Sequence, residues 1–259
     1  MPQGLRRAQI ALPIIIPIAD HDWNNPTFVH KFGANPDVDA AVDVWDGDQD
    51  YVYNASAATM YLSSDTSADQ GIEVTIVGLN SSWNEVTQVV STDGTDGQTF
   101  VALGTQLIRV YRAYVSGGTA PAGDLYISDD NTDTGPNGIP DDLDNMKALI
   151  LAGNNQTLMS IYTIPNAFTG YLLDHTSSVL GGGTKSVDMV FQTRASGGVF
   201  RVRDKWTSIQ TGANPYQKFF PAPISLPAKT DIKVRVVAAS TTNMTVTNTF
   251  SILLLPDST

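Results

Sequence analysis

GIEVTIVGL (residues 71–79) and NEVTQVVS (residues 84–91) decide the fold class of this chain. In the first segment, Ile72, Val74 and Ile76 alternate with other residues at a period of two, which is the signature of a β-strand. The second segment repeats the period with branched residues. The polar connection between the two is short enough for a hairpin. The pair therefore predicts two adjacent antiparallel strands.

The same pattern recurs along the chain, with Gly-rich and Asp-Gly turns between segments. No helical period persists beyond about two turns. Roughly 14 strands at this spacing predict an all-β protein, a β-sandwich of jelly-roll-like type. The prolines of residues 221–227 predict an irregular approach to the strand that follows them. Further strands are predicted at residues 59–63, 106–115, 148–152, 157–163, 169–175, 185–193, 199–204, 231–238 and 244–255.

Composition divides the chain into four regions. Residues 1–36 lack periodicity and contain several prolines, which predicts an extended N-terminal arm. Residues 37–128 form a predicted N-terminal β lobe, residues 129–145 an Asp-rich loop, and residues 146–259 a C-terminal β-sandwich lobe. The sequence leaves open whether the two lobes form one continuous domain.

The arm carries the most apolar stretch of the chain, residues 8–19. Pro13 and Pro17 interrupt it, and no small-residue cleavage pattern follows, which favours an arm over a secretion signal. A secreted adhesin, the alternative, requires that this segment be cleaved. An apolar arm must be covered by its own body or by a neighbouring subunit. The residues predicted to form this interface are Ile10, Leu12, Ile14, Ile15 and Ile16.

Charge and cysteine content exclude several classes of function. The 259 residues carry a net charge of -11, and such a field repels nucleic acid. The absence of cysteine excludes disulfides, zinc–thiolate sites and thiol catalysis. No apolar run reaches the ~18 residues that a membrane-spanning helix needs. We therefore expect neither nucleic acid nor membrane as a partner.

No motif predicts an enzyme. His21, His30 and His175 have no metal-ligand spacing, and no serine lies in a nucleophile elbow. Trp45 and Tyr51 flank a cluster of acidic residues, which would suit a platform for a sugar, but Asp and Gly residues are also common in turns. A carbohydrate-binding host-attachment module is therefore an alternative function.

The Asp-rich loop contains the most specific chemical pattern. Asp129, Asn131 and Asp133 have the alternate spacing of the oxygen ligands that begin a calcium loop. The pattern then fails, because Thr134 stands where a glycine is needed and Pro140 where a bidentate glutamate is needed. The loop is either a calcium site or a solvated polar turn. No other cofactor is expected.

Residues 107–115 contain Arg109, Tyr111, Arg112 and Tyr114, and a second segment contains Arg194, Arg201 and Arg203. These residue types are enriched at protein–protein interfaces, but they also pack in cores with the charged ends reaching water. The sequence does not decide between these two roles.

Six segments of the chain form a recognisable series in their order: residues 42–47, 61–80, 84–95, 107–115, 154–172 and 223–238. Taken together they resemble structural proteins encoded in tailed-phage virion gene clusters. This resemblance implies a non-enzymatic virion protein assembled in the host cytoplasm. A capsid cement or decoration protein fits best, binding the major capsid protein or other virion proteins as a homo-oligomer, with a trimer favoured. A tail, neck or fibre-base protein is the rival.

Overall fold

The computed structural model describes residues 25–180, 185–210 and 215–257. These residues form sixteen β-strands and one short 3-10 turn, with no α-helix among them. The all-β prediction is therefore confirmed. The strands are β1 (Thr27–Val38), β2 (Val42–Asp43), β3 (Tyr61–Ser64), β4 (Glu73–Asn80), β5 (Glu85–Ser91), β6 (Val101–Ala102), β7 (Leu107–Val115), β8 (Leu125–Ser128), β9 (Met146–Ile150), β10 (Ile161–Thr163), β11 (Phe168–Leu180), β12 (Ser186–Arg194), β13 (Arg201–Ile209), β14 (Tyr216–Leu226), β15 (Asp231–Ala239) and β16 (Met244–Pro256).

The strands form four antiparallel sheets. The first has the order β1-β16-β11-β14, and the second has the order β10-β15-β12-β13 with β2 also paired to β15. The third is β6-β3-β8-β9 and the fourth is β5-β4-β7. The hairpin predicted from the first two segments is present as β4 and β5, with Glu73 opposite Ser91 and Leu79 opposite Glu85.

The four small sheets are arranged like the blades of a propeller and do not form a clear jelly roll, so the jelly-roll expectation is corrected. The difference lies in how many sheets the strands form. A jelly roll places eight strands in two sheets, whereas here the strands divide among four. Strand periodicity predicts which residues form strands, but it carries no information about which strands pair.

Two apolar cores lie between the sheets. The first cluster contains Phe191 and draws mainly on the first and second sheets. The second cluster draws mainly on the third and fourth sheets. Strand β7 contributes to both, because Ile108 and Tyr111 face the first core while Leu107 and Val110 face the second. A strand that is buried on both faces joins the two halves of the chain.

The N-terminal boundary differs from the prediction. Residues 27–36, expected within the extended arm, lie in β1, which pairs with β16 near the other end of the chain. This pairing satisfies the backbone groups of β1, which an unpaired arm would leave to water. Residues 1–24 lie outside the described residues.

The prolines before residue 227 also have a different role from the predicted one. Strand β14 contains Pro221 and Pro223, and it is the outermost strand of its sheet. Proline lacks a backbone N–H, so it is tolerated on an edge strand where that position needs no partner. The register of β14 against β11 shifts between Leu172 and Asp174, which are opposite Ile224 and Phe219. The prolines thus lie in an irregular edge strand.

Candidate functional site

The structure does not test the interface predicted in the arm. Ile10, Leu12, Ile14, Ile15 and Ile16 all lie outside the described residues. The first described strand, β1, begins at Thr27, two residues after the first described residue. The prediction stays a prediction, and the neighbourhood of β1 is the part of the described chain that bears on it most closely.

The Asp-rich loop does not form a metal centre in the part of the chain that the structure describes. No group of three or more His, Asp or Glu side chains is placed to hold a metal there. Asp129 accepts a hydrogen bond from Asn54 at 2.6 Å and lies 3.6 Å from the ammonium of Lys147. Asp133 accepts the backbone N–H of Gly138 at 2.6 Å, and Asn131 is exposed.

The described residues do not bring Asp129, Asn131 and Asp133 together as one set of ligands, so the calcium interpretation stays a prediction without support from the structure. One oxygen of Asp129 accepts the side-chain amide of Asn54 and one oxygen of Asp133 accepts the backbone N–H of Gly138, while the other oxygen of each is buried without a hydrogen bond among the described residues. The Nζ atom of Lys147 lies near the first carboxylate, and a backbone amide donates to the last. Short polar side chains that accept nearby backbone N–H groups are the ordinary way in which such turns are held.

The sugar platform suggested by the sequence is corrected. Trp45 is fully buried, Tyr51 is buried, and their rings meet edge to face with centroids 5.3 Å apart. The indole N–H of Trp45 donates to the main-chain carbonyl of Gln49 at 2.6 Å. Asp46 is buried as well. A side chain inside the core cannot offer a face to a glycan, so these residues stabilise the fold.

The burial of Asp46 makes the stability of the folded protein depend on pH. The backbone N–H of Leu158 donates to one carboxylate oxygen at 2.6 Å, and the other oxygen is buried without a hydrogen bond. Desolvation raises the pKa of Asp46 to about 7. Between about pH 4 and pH 7, the folded state therefore keeps a proton on Asp46 that the unfolded state has released. The stability that this proton contributes to the folded state is lost as pH rises through about 7.

Asp46→Asn is expected to remove this loss. The amide is the same shape as the protonated acid and keeps an acceptor for Leu158. The variant should match the parent at pH 4 and exceed it by roughly 2–4 kcal/mol at pH 8.5. Urea denaturation at both pH values measures the difference. Equal differences at the two pH values would contradict the raised pKa.

A cleft of about 650 Å³ lies beside β1. One wall is the edge of β1, and the remaining lining includes residues of β4, β5, β7, β10 and β11. The cleft arises because β1 pairs only with β16, so that its second edge faces the fourth sheet without pairing to it. Residues of the wall include Phe28, Val29, Val77, Glu85 and Tyr162.

Polar groups lie at the base of this cleft. The ammonium of Lys31 donates to the main-chain carbonyl of Tyr111. Burial, with repulsion from Arg112, lowers the pKa of Lys31 to about 7. The hydroxyl of Tyr111 donates to the carboxylate of Glu85. The hydroxyl of Tyr162 lies close enough to that of Tyr111 to interact with it electrostatically. It makes no hydrogen bond of good geometry among the described residues. The cleft thus combines apolar walls with a few polar groups.

Several outer strands expose large apolar side chains. Phe28 and Phe32 on β1 are 63% and 41% exposed. Phe219 on β14, Val202 on β13 and Val89 on β5 are more than half exposed. All four strands are the outermost of their sheets. Proteins that remain monomeric protect such edges with charges, prolines or bulges, and unprotected apolar edges mark sites of association.

The three histidines have three different positions, and His30 is among the residues that line the cleft. His21 lies outside the described residues, and His30 is exposed on β1. His175 is buried, with its ring nitrogen 2.8 Å from the carboxylate of Asp204. Burial lowers the pKa of His175. The ring of Trp206 lies 4.3 Å from that of His175. This packing gives His175 a structural position within the first core.

The two segments that the sequence singled out for their arginines contain both buried and exposed side chains. Arg109 is buried and contacts Asp231, and Tyr111 is buried in the first core. Arg112 and Arg201 are exposed. Burial of the first pair follows from the position of β7 between the two cores.

Sequence reasoning missed Lys31, Glu85 and Tyr162 as neighbours. They come from three separate strands or segments, and only the pairing of β1 with β16 brings Lys31 to the fourth sheet. One signal was available. In residues 28–32 two phenylalanines alternate with a valine and a lysine, which is the two-residue period of a strand.

No helix among the described residues has the length and apolar character required to cross a bilayer.

No protein-family model matches the chain, and the search of curated proteins found no match. Structures of infectious bursal disease virus are similar to it only weakly. That of the Gt strain has 10% identity and a TM-score of 0.20, covering 97% of this chain and 81% of that one. A mutant VP2 protein of that virus in T=1 particles has 10% identity, a TM-score of 0.20, and coverage of 96% and 77%. A VP2 subviral particle has 9% identity, a TM-score of 0.22, and coverage of 96% and 76%. Such TM-scores do not establish a shared fold.

Proposed function

We propose that this chain is a non-enzymatic structural component of a tailed-phage virion. In this proposal it is a capsid cement or decoration protein that stabilises the head by binding neighbouring capsid subunits. The observation that carries the proposal is the set of outer strands with exposed apolar side chains, above all Phe28 and Phe32 beside the open edge of β1. A protein that acts in many adjacent copies has a use for such edges.

The cleft beside β1 is where we place the contact with a capsid subunit. An extended segment of that subunit would add to the free edge of β1 through main-chain hydrogen bonds. Its apolar side chains would pack against Phe28 and Val29, which line the cleft. In return, the apolar residues 8–19 of this chain would cover a surface of the neighbouring subunit. The expected assembly is a homo-oligomer, with a trimer favoured.

The charge of the chain agrees with this placement. A net charge of -11 repels packaged nucleic acid and favours a position on the outside of a particle. Neither nucleic acid nor membrane is a partner in the proposal.

Replacement of Ile14, Ile15 and Ile16 by serine tests the proposal. Particles from which the protein has been stripped are incubated with the parent chain or the variant, and occupancy is measured by cryo-EM. The parent should bind to saturation. We expect the variant to lose at least tenfold in affinity, because three buried apolar side chains contribute more than the ~1.4 kcal/mol that a factor of ten requires.

The matched control replaces Arg6 and Arg7 by serine, which alters the same arm without changing its apolar run. This control should retain binding, and all variants should melt at the temperature of the parent. Full occupancy by the isoleucine variant would refute the role of the arm.

A tail, neck or fibre-base protein is the rival within the same class. Stoichiometry against the major capsid protein separates the two. A cement protein is present in numbers comparable to those of the capsid subunits, and a tail or neck protein in one or a few rings.

A further inference from the structure

A carboxylate at the end of strand β8, in the third sheet, lies between a buried amine and an amide. Asp129 follows β8, Lys147 is on β9, and Asn54 belongs to the segment between β2 and β3. One oxygen of Asp129 accepts a hydrogen bond from the side-chain amide of Asn54 at 2.6 Å. The other lies 3.6 Å from the amine of Lys147 and has no hydrogen bond among the described residues.

The lysine is held inside the protein rather than at its surface. Its side chain is 3% exposed, and that of Asp129 is 14% exposed. The amine of Lys147 donates to the main-chain carbonyl of Val52 at 3.3 Å and to that of Asp144 at 3.2 Å. The first of these contacts places the amine against the segment that carries Asn54, two residues further along.

An amine, a side-chain amide and a carboxylate that lie together can act as nucleophile, electrophile and proton carrier. A desolvated amine is a nucleophile, because removal from water disfavours its charged form. A side-chain amide supplies the carbonyl carbon for attack, and a carboxylate that accepts its N–H can move a proton from the amine to the leaving nitrogen. A simple buried ion pair would need neither the amide nor the unpaired oxygen.

We propose that Lys147 and Asn54 form an intramolecular isopeptide bond, with Asp129 as the proton carrier. The Nζ atom of Lys147 attacks the side-chain carbonyl carbon of Asn54, and a C–N bond forms. Asp129 accepts a proton from that nitrogen and delivers one to the amide nitrogen of Asn54. The old C–N bond breaks and ammonia leaves. No oxidant, metal or other reactant is consumed, and the step occurs once per chain.

The bond would join β9 to the segment before β3 across the second core. Cross-linking two positions that are far apart in sequence restricts the unfolded chain, as a disulfide does. A chain without cysteine has no disulfide available for this purpose. The inference is independent of the proposed role in a virion, since it concerns the chain alone.

Intact-mass measurement of the purified full-length chain, denatured before analysis, tests the proposal. The mass should be about 17 Da below that of the sequence, which is the mass of ammonia. Tryptic digestion should yield one branched peptide that contains both Asn54 and Lys147, because trypsin does not cleave after an acylated lysine. An unchanged mass would overturn the proposal. A loss of about 18 Da with the bond mapped to Asp129 would overturn the assignment to Asn54.

Three variants assign the roles. Lys147→Arg and Asp129→Ala should both have the full mass of their sequences, the first for lack of a nucleophile and the second for lack of a proton carrier. Lys233→Arg is the matched control, since Lys233 is another buried lysine, paired with Asp43 at 2.8 Å. It should keep the mass deficit. A deficit that persists in Asp129→Ala would refute the role of Asp129. If a variant fails to fold, the intact mass of the parent chain still decides by itself whether the isopeptide bond forms.

Discussion

Asp231→Ala is expected to lower the free energy of unfolding by about 3–5 kcal/mol, which is the usual cost of removing one partner from a buried ion pair. Asp231 is fully buried. Arg109 donates to both of its oxygens, at 2.7 and 2.9 Å, and Arg194 donates at 2.9 Å. The hydroxyl of Thr163 donates at 2.7 Å. The variant would leave the guanidinium of Arg109 inside the protein without its carboxylate.

This carboxylate also connects the two halves of the fold. Arg109 lies on β7, which faces both cores, whereas Asp231 and Arg194 lie on the second sheet. The guanidinium of Arg109 is further held over the rings of Tyr53 and Trp83, 5.1 and 4.9 Å from their centroids. Loss of Asp231 should therefore weaken the contact between the halves as well as the local packing.

Asp50→Ala is the matched control for this prediction. Asp50 also binds an arginine, Arg235, but its side chain is 59% exposed. Exposed pairs contribute at most about 1 kcal/mol, and Arg235 keeps its contact with Asp43. Urea denaturation followed by circular dichroism measures both variants at pH 7. Equal losses in the two variants would show that burial of the Asp231 pair has no special energetic weight.

Trp45→Ala is expected to cost about 3–5 kcal/mol, as for other fully buried aromatic side chains. Trp45 lies in the second core, in edge contact with Tyr51. The fit around the indole is tight, because a Cβ atom at Gly47 would lie 2.4 Å from the ring. Removal of the indole would leave a cavity in the core, and such cavities are costly because the surroundings relax only in part. The loss of a hydrogen bond to Gln49 adds to the cost.

Val89→Ala provides the control for Trp45. Val89 lies on the outer strand β5 and is exposed, so its truncation should change stability by less than about 0.5 kcal/mol. Thermal and urea unfolding give both values. A Trp45→Ala variant of unchanged stability that had lost binding to glycans would restore the sugar platform and contradict the burial described above.

Strand content was predictable from local pattern because the alternation of side chains is a steric property of the extended backbone itself. Residues 71–79 and 185–193 were predicted as strands and correspond to β4 and β12 within a few residues. Burial of one strand face was implied in the same way, since alternating branched residues require a covered face, but the number of cores was left open. Buried positions within those strands, such as Val74 and Phe191, follow from the same period.

The pairing of strands, and every site that depends on it, was decided by tertiary structure. Strand β1 pairs with β16 across most of the chain, and this pairing turned part of a predicted arm into the edge of a cleft. The meeting of Asn54, Asp129 and Lys147 and the burial of Trp45 have the same origin. An extended backbone sets the direction of each side chain over two residues, whereas the choice of a partner strand compares the free energies of contacts between distant segments. A local pattern carries the first kind of information and lacks the second.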